Sequence, residues 1–127
     1  MIADEICLTL PADDAFHSVA HLVLGGLAAR LNLSFEHLED LELALDAVLE
    51  RAEHSEEVTI ALRVKDGEIE TAIGPLRVGV RDELEATAGE DVGLRRILDT
   101  LVDRVDVAPG EGGEWVTLTK AVTEQDG

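Results

Sequence analysis

His17 and His21 stand four residues apart in a helix-patterned segment, the spacing at which two imidazoles on one face can share a metal ion. No third ligand lies nearby in sequence, so the pair reads as ordinary, partly exposed histidines. Cys7 is the only cysteine, which excludes an intrachain disulfide. Its place in the alternating run ICLTL marks a small buried residue rather than a nucleophile. Ser18, Ser34 and Ser55 sit in no nucleophile-elbow context, and Gly110, Gly112 and Gly113 read as hairpin glycines, not a phosphate cradle. No paired set for general acid–base catalysis stands out. The densest run of ionisable side chains, DLELALDAVLERAEH at 40–54, is first of all an amphipathic helix.

The chain of 127 residues suits one domain with one core, assigned to 1–122, with 123–127 read as a disordered tail. Hydrophobic residues make up 46 %, enough apolar material to fold, but aromatics only 2 %, so the core is to be built from Leu, Val, Ile and Ala. That scarcity argues against stacking platforms for single-stranded nucleic acid. With 28 Asp+Glu against 10 Lys+Arg, the formal charge is −18. Such a surface repels DNA and anionic membranes and attracts basic proteins, although acidity also aids solubility. No apolar run approaches the ~20 residues of a membrane span. Asp4 and Glu5 replace the basic start of a signal peptide, so a cytoplasmic protein is expected.

Ile6, Leu8 and Leu10 alternate in a strand that ends at Pro11. Asp13 or Asp14 can cap the following helix, which runs to about Leu31 with Phe16, Val19, Ala20, Val23, Leu24 and Leu27 as its stripe. Gly25-Gly26 lowers helicity there and permits close packing of a neighbour. Ser34 caps a second helix over about 35–54, striped by Leu38, Leu41, Ala44, Leu45, Val48, Leu49 and Ala52. Val58 to Val64 and Ile69 to Ile73 form a hairpin turning at Asp66-Gly67. Residues 74–92 show no sustained period and read as a long loop. A helix over 93–105 leads into a strand at Val105 and Val107, a PGEGG turn and a closing strand, EWVTLTKAV. The order β-α-α-β-β-loop-α-β-β predicts a two-layer α/β sandwich, its mixed, mostly antiparallel sheet covered by helices on one face.

This order, with LTLPADDAFHSVAHLVLGGLAARLNLSFEHLEDLELALD at the start and LVDRVDV…GGEWVTLTKAV at the end, resembles the histidine-kinase-like ATPase (GHKL) fold. Within that superfamily the chain is similar to bacterial anti-sigma-factor serine kinases of the partner-switching type. Pattern and order carry the resemblance over nearly the whole chain; the catalytic motifs do not. The family's second helix offers a Glu, then four residues later an Asn followed by Ala, on one helix face. The Glu handles the water or hydroxyl, and the Asn oxygen binds the magnesium that bridges the phosphates.

In the ungapped match those positions are Ala47 and Arg51, with Ala52 retained. Alanine accepts no proton, and a guanidinium has only donors, so neither can serve. Sliding by one residue makes Asp46 the acid and Glu50 the metal ligand, and two carboxylates could hold magnesium. That slip turns the downstream helix by about 100° relative to its core stripe. The stripe from Leu41 to Ala52 shows no such break, so Asp46 and Glu50 read as a solvated acidic face.

The adenine motif, Asp-x-Gly-x-Gly, falls in IETAIGPLRVG, where Gly74 and Gly79 remain and Ala72 takes the Asp position. The phosphate motif, Gly-x-Gly-Leu, survives as Gly93-Leu94 behind Asp91 and Glu90, which would repel phosphate, while Arg95 and Arg96 could attract it or face solvent. Glu114 stands in the Thr position of the closing turn, and Thr117 fits the usual strand. The resemblance therefore implies a degenerate pocket: Ala47, Arg51, Ala72, Gly74, Gly93, Leu94 and Thr117, with no catalytic residue, metal or cofactor expected. A regulatory module resembling an anti-sigma factor follows, with a sigma factor or antagonist protein as partner and a homodimer compatible with the uncovered sheet face. The alternative is an active serine protein kinase using ATP and magnesium through Asp46 and Glu50, acting on an antagonist.

Overall fold

Strand alternation and helical spacing resolve, in a computed structural model, into elements described for residues 4–11, 13–31, 33–50, 57–65, 67–76 and 94–121. In chain order these are β1 (Asp4–Pro11), a 3-10 turn (Asp14–Phe16), α1 (His17–Leu31), α2 (Phe35–Leu49), β2 (Glu57–Lys65), β3 (Glu68–Leu76), α3 (Leu94–Leu101), β4 (Arg104–Gly110) and β5 (Gly113–Ala121). The strands lie in the order β1-β2-β3-β5-β4. Where a mixed sheet was expected, every described pairing is antiparallel. The α1–α2 pair returns the chain to the end it left, so β2 runs back along β1. After α3, β4 runs parallel to β3, but β5 lies between them.

Residues facing each other across a ladder share a face. Ile6 with Leu62, Leu8 with Ile60 and Leu10 with Val58 point to the helices, as do Ile73 with Val116 and Val105 with Leu118. Leu24 and Leu27 of α1, Leu41, Leu45 and Val48 of α2, and Leu98 of α3 close the core over them. Cys7 sits opposite Ala61 on the other face, and Ala61 opposite Ala72, in a row that continues through Thr117 to Asp106. Cys7 is exposed, which corrects the expectation of a buried thiol: in ICLTL the buried parity belongs to Ile6, Leu8 and Leu10.

Local chemistry sets the ends of the elements. Ser34 Oγ accepts the His37 amide at 3.1 Å and caps α2 as expected. Asp13 Oδ1 accepts the Ala15 amide at 3.0 Å, but what it starts is a 3-10 turn. Helical spacing does not extend back through that turn, and Phe16, expected on the buried stripe, is exposed. The helix expected over 35–54 ends at Leu49 with Glu50 as C-cap, and its last four residues lie outside the described chain. The helix expected over 93–105 is described from Leu94 to Leu101. β3 continues to Leu76, three residues into the expected loop, whose remainder is likewise outside the described residues, as is the tail. Gly67 adopts φ 79 in the β2–β3 turn, a conformation that favours glycine.

Gly74 has a different constraint. A Cβ there would stand 2.4 Å from Cδ2 of Trp115, whose indole N–H donates to the Glu111 carbonyl at 3.0 Å. Gly110 meets the same ring, so Trp115 lies over two glycines on the sheet face that no described helix covers. By contrast, a Cβ at Gly25 or Gly26 would meet nothing within 4 Å, so no described part of the chain uses the close packing those glycines permit.

Two outcomes follow for stability. Truncating Leu45, 2 % exposed, to Ala should lower the unfolding free energy in urea by about 2–5 kcal/mol. Gly74→Ala should destabilise by about 1–3 kcal/mol through overpacking. A double-mutant cycle with Trp115→Ala should recover most of that loss, whereas additive losses would show that the ring is not the obstacle.

Candidate functional site

The resemblance places its chemistry on α2, so the rotational setting of that helix decides which side chains can reach a pocket. α2 is held on two flanks. On the α1 side, His21 Nε2 and Asp46 Oδ1 lie 2.8 Å apart in a part-buried hydrogen bond. On the α3 side, Lys120 Nζ donates to Asp40 Oδ2 at 3.2 Å and to the Leu101 carbonyl at 2.9 Å, at the C-terminal end of α3. Lys120 is only 12 % exposed, so this ion pair is partly shielded from water. Ala47 follows Asp40 by two helical turns and lies within about 20° of its direction, whereas Asp46 points about 120° away. Ala47 therefore belongs to the α3 flank, packed against the edge of the core, and Asp46 to the α1 flank.

The other expected pocket residues do not all join Ala47. Ala72, Gly74 and Thr117 are on the sheet face opposite the described helices, in line with Ala61, Thr59 and Asp106. Strand parity is the reason: Ile69, Thr71 and Ile73 take the helix-facing side, so their neighbours face away. Leu94 begins α3. Arg51 and Gly93 lie outside the described residues. Arg95, a candidate phosphate contact, pairs with Asp99 one turn on, at 3.2 and 3.3 Å. Among the candidates, then, Ala47 and the first residue of α3 belong to the helical side, and the three sheet residues do not.

Sequence reasoning missed the strand end that does face the helices. The β3–β5 register shifts between Ile73 and Leu76, and beyond the shift Leu76 is buried opposite Glu114. Glu114 shares the parity of Val116, so its carboxylate stands on the helix-facing side. The signal was the Gly74-Pro75 pair inside a strand, a combination that marks a bulge and re-aims the residues after it. Counting from Leu76 rather than Gly74 brings an apolar side chain, not a carboxylate, to the helix side at this end of β3.

Charge is unevenly distributed over these elements. α2 carries Glu36, Glu39, Asp40, Glu42 and Asp46, with Glu50 as its C-cap, and no Lys or Arg. Among the described residues no group of three or more His, Cys, Asp and Glu is placed to hold a metal ion, and His21 of the His17–His21 pair is engaged with Asp46.

No family model matches the chain. It is nevertheless similar to curated proteins named serine-protein kinase RsbW: 32 % identical to that of Listeria monocytogenes serotype 4b and 28 % to that of Listeria innocua serovar 6a. Each match covers 96 % of this chain and 90 % of the relative. The 145 aligned positions exceed the chain's 127 residues, so the relatives contain segments with no counterpart here. Among solved structures, the RsbU and RsbW domains of a Mycobacterium tuberculosis protein superpose with a TM-score of 0.70 at 18 % identity over 94 % of this chain. The chain spans 32 % of that longer protein, and the likeness shows the fold. Sequence similarity over nearly the full length and the shared sandwich lead to one conclusion: the chain belongs to the RsbW family of serine-protein kinases, anti-sigma-factor kinases of the histidine-kinase-like ATPase superfamily.

Proposed function

We propose that this chain is a regulatory protein-binding module, an anti-sigma factor of the partner-switching type that does without its family's usual ATP and magnesium chemistry. The observation that carries the reading is the setting of α2. The flank turned toward α3 presents Ala47, while Asp46, the acid of the rival alignment, is turned toward α1 and hydrogen-bonded to His21. The ungapped alignment is supported because the family's phosphate motif leads directly into α3. An alanine at the acid's position removes the proton acceptor, and the arginine four residues on offers only donors. Glu114, on the helix-facing end of β5, adds negative charge where a phosphate-binding site needs the opposite.

The partner is a sigma factor or an antagonist protein, drawn by the −18 charge through electrostatic steering. The reading takes the cytoplasm as the compartment; no helix among the described residues is long and apolar enough to cross a membrane. The sheet face opposite the described helices, with its small side chains Ala61, Ala72 and Thr117, suits a homodimer.

The test combines the purified chain with labelled ATP, magnesium and a candidate antagonist domain, and separately with a sigma factor on a sizing column. The expected result is no label on any antagonist serine, together with a nucleotide-independent complex that weakens as salt rises. Labelling that disappears in Asp46→Ala would instead make the chain an active kinase using the rival alignment.

A further inference from the structure

The helical layer exposes an apolar patch that neither the core nor the candidate pocket uses. Leu22 of α1 and Leu43 of α2 are 75 % and 52 % exposed. The short connection at 32–34 makes α1 and α2 antiparallel neighbours, and the His21–Asp46 hydrogen bond fixes their relative level. Gly25 and Gly26 lie one turn beyond His21, and Glu42 and Leu43 one turn before Asp46, so the glycines and Leu43 come level, with Leu22 about a turn away. The glycine notch is open, because a Cβ at either position would meet nothing within 4 Å. Consecutive glycines weaken a helix, and here the space they clear is not filled by any described part of the chain.

The charge around the patch identifies its complement. Glu36, Glu39 and Glu42 lie along α2, which has no Lys or Arg, and the described part of α1 carries one arginine, Arg30, near its far end, besides the imidazoles of His17 and His21. The other described bases, Arg63, Lys65, Arg95, Arg96, Arg104 and Lys120, belong to the sheet and α3.

We propose that the α1–α2 face is a docking groove for a basic amphipathic helix of a protein partner. Apolar side chains one turn apart on that helix pack on Leu22 and Leu43, its backbone or a small residue enters the Gly25–Gly26 notch, and flanking Lys or Arg meet Glu39 and Glu42. The acids that favour this occupant disfavour an anionic lipid surface. The proposal rests on the protein-binding reading above and gives its basic partner an address on the molecule.

The test is a titration of isotope-labelled protein, followed by amide chemical shifts, with a synthetic helix that has a leucine stripe flanked by lysines. A scrambled peptide of the same composition, which forms no stripe, serves as the comparison. Shifts should concentrate at 18–26 and 39–46. Leu22→Ser with Leu43→Ser, and separately Gly26→Gln, should each weaken binding by roughly tenfold. Gly26→Gln should also raise the melting temperature, since it replaces a poor helix former, so stability and affinity move in opposite directions. Four results each overturn the groove: no binding, shifts centred on other elements, equal affinity for the scrambled peptide, or unchanged affinity in the variants. None of the four bears on phosphoryl transfer, and phosphoryl transfer by the wild type would overturn the non-catalytic reading while leaving the mapped groove in place.

Discussion

The rotational setting of α2 is the constraint on which the site, the charge pattern and the proposed groove depend. Two partly buried polar contacts, His21 with Asp46 and Lys120 with Asp40, grip the helix from opposite flanks, while Leu41, Leu45 and Val48 fix its underside on the sheet. A helix held at three directions around its axis has no freedom to roll by the 100° that would exchange neighbouring positions. The Lys120 contact also ties the last strand to the end of α3, so the helix preceding β4 and the strand following it are set against α2 together. Asp103 adds to this corner by accepting the Ala121 amide at 2.7 Å.

From that setting the surfaces sort themselves. The flank toward α3 shows Ala47, a side chain with no polar atom, packed against the edge of the core. The outward side shows glutamates and Leu43. Beneath, the sheet has one face fully engaged and another built from small side chains with Trp115 lying over Gly74 and Gly110. On the engaged face Thr71 is buried between apolar neighbours, its hydroxyl without a hydrogen-bond partner among the described residues. The chain thus has the packing of the family's sandwich, and the proposed loss of nucleotide chemistry leaves that packing intact because core packing and site chemistry draw on different residues.

Much of the fold was legible in the sequence because it rests on periods. The three- and four-residue spacing from Leu41 to Leu49 and the alternation from Val58 to Val64 state which face is buried, and the Ser34 cap and Asp66-Gly67 turn state where elements begin and end. What failed was parity and local backbone detail. Cys7 sits one residue from its buried neighbours and so faces away from them, and Phe16 precedes the true helix in a 3-10 turn. The flank on which Ala47 sits was legible from regular helical spacing, whereas the sheet face taken by Ala72 and Gly74 was not, because a motif match does not state strand parity and a register shift follows within β3. Lys120, the penultimate residue of β5, gave no sign in sequence that its partners would come from α2 and α3, because contacts at such separation have no local signature.

Calorimetric titration of the purified chain with ATP, with and without magnesium, asks whether α2 offers a metal-binding carboxylate pair to a nucleotide; the proposed function requires that it does not. No magnesium-dependent heat is expected at millimolar nucleotide, for the wild type and for Asp46→Ala alike. Magnesium-dependent binding by the wild type that vanishes in Asp46→Ala would contradict the proposed function, and would place Asp46 and Glu50 at the centre of a working site.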